Sequence, residues 1–509
     1  MTGPGDDRVA HGVRRLLALG VALALALEAA AAGEPPAAPP GTPRSFDPRR
    51  PPERELEMSI ADGFTLAAVG DCIISRPLSQ LLKRDAAFAA VAAIVKGADA
   101  TFGNFENVAF DVRGFKGSPH GAREDWALVA APEVARDLKT MGFDLLARAN
   151  NHAMDWGVEG MRETARWLDE AGLVHAGAGE NRAEARAARY LETESGRVGL
   201  VSMVSSFTEL LQALPPHGQA PGRPGVNALR TTRYTVVPPE MMRTLASLRG
   251  TLEASLRSCN EFDAERGKAP SAGGAGAPPA ELTLFDTRFR LGERLGYHYE
   301  IDPVDLAENL QAIRLGKQHS DFLIATIHAH ESGLSCDEPG DFLPALAHAA
   351  LDAGADAFLG HGIHRLGPIE VYKGKPIFYG LGNFFWSDIQ EPIPADLHER
   401  YRDLVASALG DPSKATDADL SALLNAAEFD DEVVFQTIVA VSRFQGGRLA
   451  EIRLHPVDLG YGRRLTESGV PRLASPRAAR AILERLQRLS SPFGTTIGIE
   501  QNVGVIRFR

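Results

Sequence analysis

The chain of 509 residues sets 54 Lys and Arg against 66 Asp and Glu, a formal charge of -12, which excludes the broad basic face that nucleic-acid binding requires. With 44% hydrophobic and 24% charged residues, it has the composition of an ordinary globular protein, long enough to bury a large core. Cys72, Cys259 and Cys336 are its 3 cysteines; they can close one bridge at most, which excludes a disulfide framework.

The chain opens on Arg8, Arg14 and Arg15, an apolar run over 16–27 and the small residues Ala30, Ala31 and Ala32. That is the layout of an export signal, and the run falls short of the about 20 apolar residues that span a bilayer comfortably. Residues 1–32 therefore read as a signal peptide or a retained N-terminal anchor. The protein is expected to be exported: periplasmic, extracellular or membrane-anchored. A Pro- and Ala-rich linker follows over 33–56.

From 57 onward apolar strand-like runs alternate with helical stretches. The run 64–69 stops at Gly70-Asp71, and a helix is predicted over 78–96. Residues 100–103 form a second strand ending at Asn104, 132–141 a helix, and 143–149 a third strand ending at Asn150. Strand, helix, strand in this order predicts parallel pairing through right-handed crossovers. Between 206 and 321 the rhythm breaks at Pro215-Pro216, Pro238-Pro239 and the Gly/Ala/Pro tract 272–279. This stretch reads as an insertion carrying a helix over 239–262 and a flexible loop. The rhythm resumes with a strand over 322–327, a helix over 342–353, and strands over 357–359 and 376–379, the last leading to Gly382-Asn383. One α/β domain is thus expected over 57–470, with a helix and strand in 471–509.

Polar residues recur at the carboxyl ends of these strands, where open α/β sheets bind ligands. Asp71 follows the first strand; alone it reads as a helix cap. Asn104 and Glu106 lie two apart, so on an extended segment both face the same way. Asn150-Asn151-His152, with Asp155, offers amide, imidazole and carboxylate within one short stretch. His328 and His330 follow an apolar strand, where alternation would send them to opposite faces and leave one a structural role. His361 and His364 follow the next strand as a pair in need of partners. Carboxylate, amide oxygen and imidazole together suit one or two divalent ions such as Mn, Fe or Zn. A carboxylate bridging two ions about 3.5–4 Å apart is the arrangement that activates water for attack on phosphorus. Arg365, Arg223 and Arg230 can contact an anion, or are ordinary surface arginines.

The segments Val69-Gly70-Asp71, Gly103-Asn104-Phe105-Glu106, Asn150-Asn151-His152-Ala153-Met154-Asp155, Ile327-His328-Ala329-His330-Glu331, Gly360-His361-Gly362-Ile363-His364 and Leu381-Gly382-Asn383-Phe384 carry a family likeness. In their order and spacing the chain resembles the CapA family of capsule and poly-γ-glutamate synthesis proteins, which is related to calcineurin-like metallophosphoesterases. The resemblance implies a layered metallophosphoesterase-like α/β sandwich. It implies Asp71 as the first-strand metal ligand, Glu106 in place of a bridging Asp, and Asn151 with His152 as the Asn-His pair. In that pair Asn151 binds metal while His152 protonates a leaving group or steadies an oxyanion; His328, His361 and His364 are then the late ligands. Two departures stand out. Ile73 occupies the histidine position of the superfamily's Asp-x-His, and Gly362-Ile363-His364 stands where many relatives have His-Pro-His.

The function so implied is a metal-dependent hydrolase or transferase outside the cytoplasm, acting on a phosphoester or anionic polymer. His152, Asn104 and Asp155 would be catalytic, with Arg365, His330 and Asn150 toward the substrate. Its expected partners are membrane-bound capsule or polyglutamate synthesis proteins, and no nucleic acid. Two other readings stay open: a non-catalytic polyglutamate-binding subunit of a synthesis or export complex, and a small-molecule phosphatase unrelated to capsule.

Overall fold

In the strand Thr65–Ile74 nine of ten residues are buried, the pattern of a strand covered on both faces. The computed structural model containing it describes residues 58–119, 127–255, 277–387, 393, 395–428 and 430–508. The predicted export segment 1–32, the linker 33–56 and residues 272–276 of the Gly/Ala/Pro tract lie outside them.

Thr65–Ile74 pairs in parallel with Ala100–Asn104 and Asn383–Ser387 and, through its first residues, antiparallel with Gln436–Gln445. It is the hub of a ten-stranded sheet. Leu145–Ala147 and Val174–Ala176 extend the parallel side, and Arg448–Asp458, Val503–Arg507 and Gly498–Glu500 the antiparallel side. In a second, six-stranded sheet, Phe322–His328 lies between Gly196–Val204 and Ala357–His361, all parallel.

Leu66, Phe102 and Leu145 of the first sheet share one apolar cluster with Leu200, Ile324 and Leu359 of the second. The two sheets therefore pack face to face. Helices Ala86–Lys96 and Glu133–Met141 cover the outer face of the first through Phe88, Val91, Val134 and Leu138. Phe342–Asp352 and Pro303–Lys317 cover that of the second through Leu343, Leu346 and Ile313. The result is the layered α/β sandwich that the sequence predicts.

Local chemistry moves some boundaries. The predicted helix over 78–96 is split, because the Asp85 side chain accepts from Phe88 N at 3.0 Å and caps a new helix at Ala86. Within 206–321, Thr231–Val237, Glu281–Leu284, Thr287–Leu291 and Gly296–Ile301 form a separate four-stranded sheet. Pro303–Lys317, by contrast, packs on the main body. Among the described residues no helix is long and apolar enough to cross a membrane.

Register sets these residues level: Asp71, inside its strand, lies opposite Asn104 at the end of one strand and Asn383 at the start of another, and His328 lies opposite His361. Gly70 permits this. Asp71 N donates to Gly382 O at 2.9 Å, and a Cβ on Gly70 would lie 1.8 Å from that oxygen. Gly70→Ala is expected to destabilise the fold by about 3 kcal/mol, as overpacking against immobile backbone does. A thermal melt checks this, and an unchanged Tm would mean that the Gly382 turn yields freely.

Candidate metal centre

Asp71 sits at the base of the site, fully buried. Its Oδ1 accepts from Asn104 Nδ2 at 2.8 Å and lies 3.5 Å from His361 Nδ1; its Oδ2 accepts from Gly362 N at 3.1 Å and lies 3.4 Å from His364 Nδ1. Gly362 has φ +110, and a Cβ there would lie 2.8 Å from Ala329 N, so glycine is what lets this N–H reach the carboxylate. Burial alone would raise the Asp71 pKa. The hydrogen bond from His364 and the nearby His361 and His364 rings overcome that and hold it below the usual carboxylate range.

His361 shows what the arrangement is built for. Thr326 Oγ1 donates its proton to Leu359 O at 2.6 Å, so the contact of 2.9 Å between Thr326 Oγ1 and His361 Nε2 has the ring as donor. That fixes the tautomer of a neutral His361, leaving the Nδ1 lone pair aimed at Asp71 and at His328 Nδ1, 3.1 Å away. Such orientation from behind is typical of metal-binding histidines. Burial pushes the His361 pKa down to about 4, against the pull of Asp71, and takes His328 well below its ordinary value. Both rings are therefore neutral at neutral pH, the form that binds metal.

His328 Nε2 faces His330 Nε2 at 2.9 Å and Glu106 Oε1 at 3.6 Å. The expected split of His328 and His330 onto opposite faces does not occur. The strand ends at His328, its alternation ends there, and the chain beyond brings the exposed His330 back to the same cluster. Its backbone N donates to Ser206 Oγ at 2.7 Å.

Three overlapping groups result: Asp71, His328 and His361; Glu106, His328 and His330; Asp71, Glu106 and His364, each with its ligand atoms within 4.8 Å of one another. Carboxylate and imidazole donors converging on a shared volume fit a first-row divalent ion. His364 adopts a left-handed backbone at φ 55, unusual for a non-glycine residue and typical of functional sites. Asn383 directs its NH2 to Val434 O at 3.2 Å and so presents its oxygen to His364 Nδ1 at 2.8 Å. Trp386 packs edge-on to the same ring.

The Asn150–Asp155 turn forms one wall. Asn150 is buried behind Asn104, donating to Asn104 Oδ1 at 3.1 Å and Phe105 O at 2.9 Å, while its Oδ1 accepts from His152 N. This turns the Asn104 NH2 toward Asp71. Asn151 is buried on the same turn. Asp155 Oδ2 accepts from Leu128 N at 2.7 Å and from His152 Nδ1 at 2.7 Å, leaving His152 Nε2 4.0 Å from Glu106 Oε1.

The sequence pattern of the family described as bacterial capsule synthesis protein PGA_cap matches residues 65–387. That interval begins with the first strand, ends with Asn383–Ser387 and contains every residue of the three groups. The chain belongs to this family. Two uncharacterized proteins of Sinorhizobium fredii, y4sH and y4uA, are each 46% identical to it over 459 residues, covering 88% of this chain and 94% of theirs. PGA biosynthesis protein CapA of Bacillus subtilis is 26% identical over 326 residues, covering 64% of this chain and 63% of its own. Capsule biosynthesis protein CapA of Bacillus anthracis is 25% identical over 346 residues, covering 66% and 64%.

In this PGA_cap protein the arginines singled out in the sequence are already engaged. Arg365 pairs with Asp431 at 2.9 Å, Arg230 with Asp305 at 2.7 Å, and Arg223 donates to the carbonyls of Glu209 and Gln212. Ile73 lies in the apolar cluster beneath the helices. Cys72 shares that cluster. Burial, with Asp71 and Glu106 nearby, pushes its thiol pKa well up, so it remains a protonated core residue. Thr326 and Asn383 escaped sequence reasoning as site residues; the signal for Thr326 was its place two residues before His328 on the same strand face.

Proposed function

We propose that this PGA_cap protein is a metal-dependent hydrolase or transferase of capsule or poly-γ-glutamate synthesis, acting outside the cytoplasm on a phosphoester or anionic polymer. The observation that carries this reading is the convergence of Asp71, Glu106, His328 and His361 beside the His152–Asp155 pair. The names of the Bacillus relatives, a PGA biosynthesis protein and a capsule biosynthesis protein, support the polymer class. The basic, apolar and small residues of 1–32 support export, and with it partnership with membrane-bound synthesis proteins.

Asp71, Glu106, His328, His330, His361 and His364 would hold one or two ions such as Mn, Fe or Zn. When bound, such an ion acidifies a coordinated water and polarises the scissile group. His152 supplies the proton chemistry. Asp155 fixes its Nδ1–H, so Nε2 is the atom that hands a proton to a leaving oxygen or steadies a developing oxyanion. Asn104 braces Asp71 through its NH2.

A binding role without cleavage is favoured by Ile73, which removes one donor from the superfamily's ligand set. The experiment is reconstitution with Mn, Fe or Zn, followed by assay on bis(4-nitrophenyl) phosphate and on γ-linked polyglutamate. Turnover that a chelator abolishes supports the hydrolase, while metal without turnover, or no bound metal even after reconstitution, refutes it and supports the binding subunit. Reconstitution is also expected to stabilise the fold by about 3 kcal/mol at free metal 100-fold above its Kd. The Tm in metal against chelator measures this.

A further inference from the structure

Arg148 follows the strand Leu145–Ala147 and begins the chain segment that leads to Asn150 and His152, yet its side chain takes no part in the metal centre. It is 1% exposed, among the largest fully buried side chains of the protein. Its Nη2 donates to Met161 O at 3.0 Å, inside the helix Gly157–Glu170. Its Nε has no hydrogen-bond partner, and among the described residues no carboxylate forms an ion pair with it. Burial lowers its pKa to about 10, partly offset by Asp169, so it is a cation at neutral pH. A buried guanidinium that donates to one carbonyl and meets a carboxylate only at a distance is under-compensated, a state that folded proteins normally relieve by pairing.

Arg148 lines a cavity of about 320 Å³ between that helix, Val174–Ala176 and Arg189–Thr193, at the lower end of the range for small-molecule sites. The carboxylates around this cavity have other partners. Glu180 is held by Arg162 at 2.8 and 2.6 Å, Asp169 by His175 at 3.2 Å, and Glu184 faces Arg189 at 3.7 Å. None of these residues belongs to the three metal-binding groups. Of the lining cations Arg148, Arg162 and Arg189, Arg148 alone forms no ion pair among the described residues, with Asp169 acting on it only at a distance.

We propose that this cavity is an anion-binding site separate from the metal centre, in which Arg148 receives the carboxylate or phosphate group of a small ligand. The guanidinium fork suits either group, since both accept two parallel N–H bonds. The proposal does not depend on the catalytic reading of the metal centre.

The test is the thermal melt of the full chain titrated with inorganic phosphate and, separately, with L-glutamate. Wild type and Asp71→Ala are both expected to show a saturable Tm rise of about 2–4 °C with at least one probe, and the probe that gives it identifies the group recognised. Arg148→Met is expected to lose the response. Should that variant not fold, Arg148→Lys, which keeps the charge without the fork, is expected to weaken binding at least about fivefold. Neither probe raising the wild-type Tm, a response that survives Arg148→Met or is unweakened in Arg148→Lys, or a response lost with Asp71→Ala instead, overturns the proposal.

Discussion

Asp71→Ala is expected to abolish metal binding, and any metal-dependent turnover with it. The carboxylate stands within 3.5 Å of both His361 Nδ1 and His364 Nδ1 and belongs to two of the three ligand groups. Without it, neutral imidazoles face one another with less charge to attract a cation. The expected result is metal content below a tenth of wild type by elemental mass spectrometry. The fall in kcat/KM is expected to exceed the about 10–100-fold typical of residues that merely orient a ligand. Asp71→Asn keeps the shape and the acceptor for Gly362 N but turns an NH2 toward Asn104 Nδ2, where Oδ1 now accepts. The same loss of metal in Asp71→Asn assigns the effect to the carboxylate's charge and second acceptor, not to the bulk of the side chain. Full retention of metal would shift the centre to Glu106, His328 and His330.

The parts of this site that were legible in the sequence are those a parallel sheet places by rule. Asn104, His328 and His361 each end a strand. Asp71 lies three residues inside the end of Thr65–Ile74, which runs on past the expected stop at a slip in register. The pairing of Asp71 with Asn104 and of His328 with His361 brings them together. His330 was misread because alternation holds only within a strand, and the strand stops two residues short of it. The pairing of Arg365 with Asp431 joins residues far apart in the chain, and no local pattern announces it. Thr326 shows a different limit. Its hydroxyl fixes the His361 tautomer through a contact between adjacent strands, which becomes visible only once the pairing is known. The antiparallel half of the first sheet was hidden for the same reason. Gln436–Gln445 and Arg448–Asp458 form a long hairpin, but nothing in their residues says that they pair with Thr65. The break at Asp85 was the reverse case, since an Asp before an apolar helical run is a capping signal that the longer apolar pattern masked.

His152→Ala separates chemistry from metal binding. His152 lies in none of the three ligand groups, its Nδ1 is held by Asp155 at 2.7 Å, and its Nε2 is 4.0 Å from Glu106 Oε1. Metal content is therefore expected to match wild type while kcat falls by about 10²–10⁴, the usual contribution of a positioned acid or base. The loss depends on the leaving group. A 4-nitrophenolate departs as a stabilised anion and needs little help, so its ester should suffer less than an alkyl phosphate, whose alkoxide must be protonated as it leaves. Asp155→Asn is the graded companion. Leu128 N still requires an acceptor at that position, from which Asp155 Oδ2 now serves it at 2.7 Å. The asparagine oxygen is thus held there and can go on accepting the His152 Nδ1–H, without the negative charge. Orientation survives while support for the imidazolium weakens, and kcat should fall by only about 10–100-fold. Parallel kinetics and elemental analysis of the two variants decide the matter. Equal losses on both classes of ester, or loss of metal together with turnover, would make His152 a wall of the pocket and not its acid.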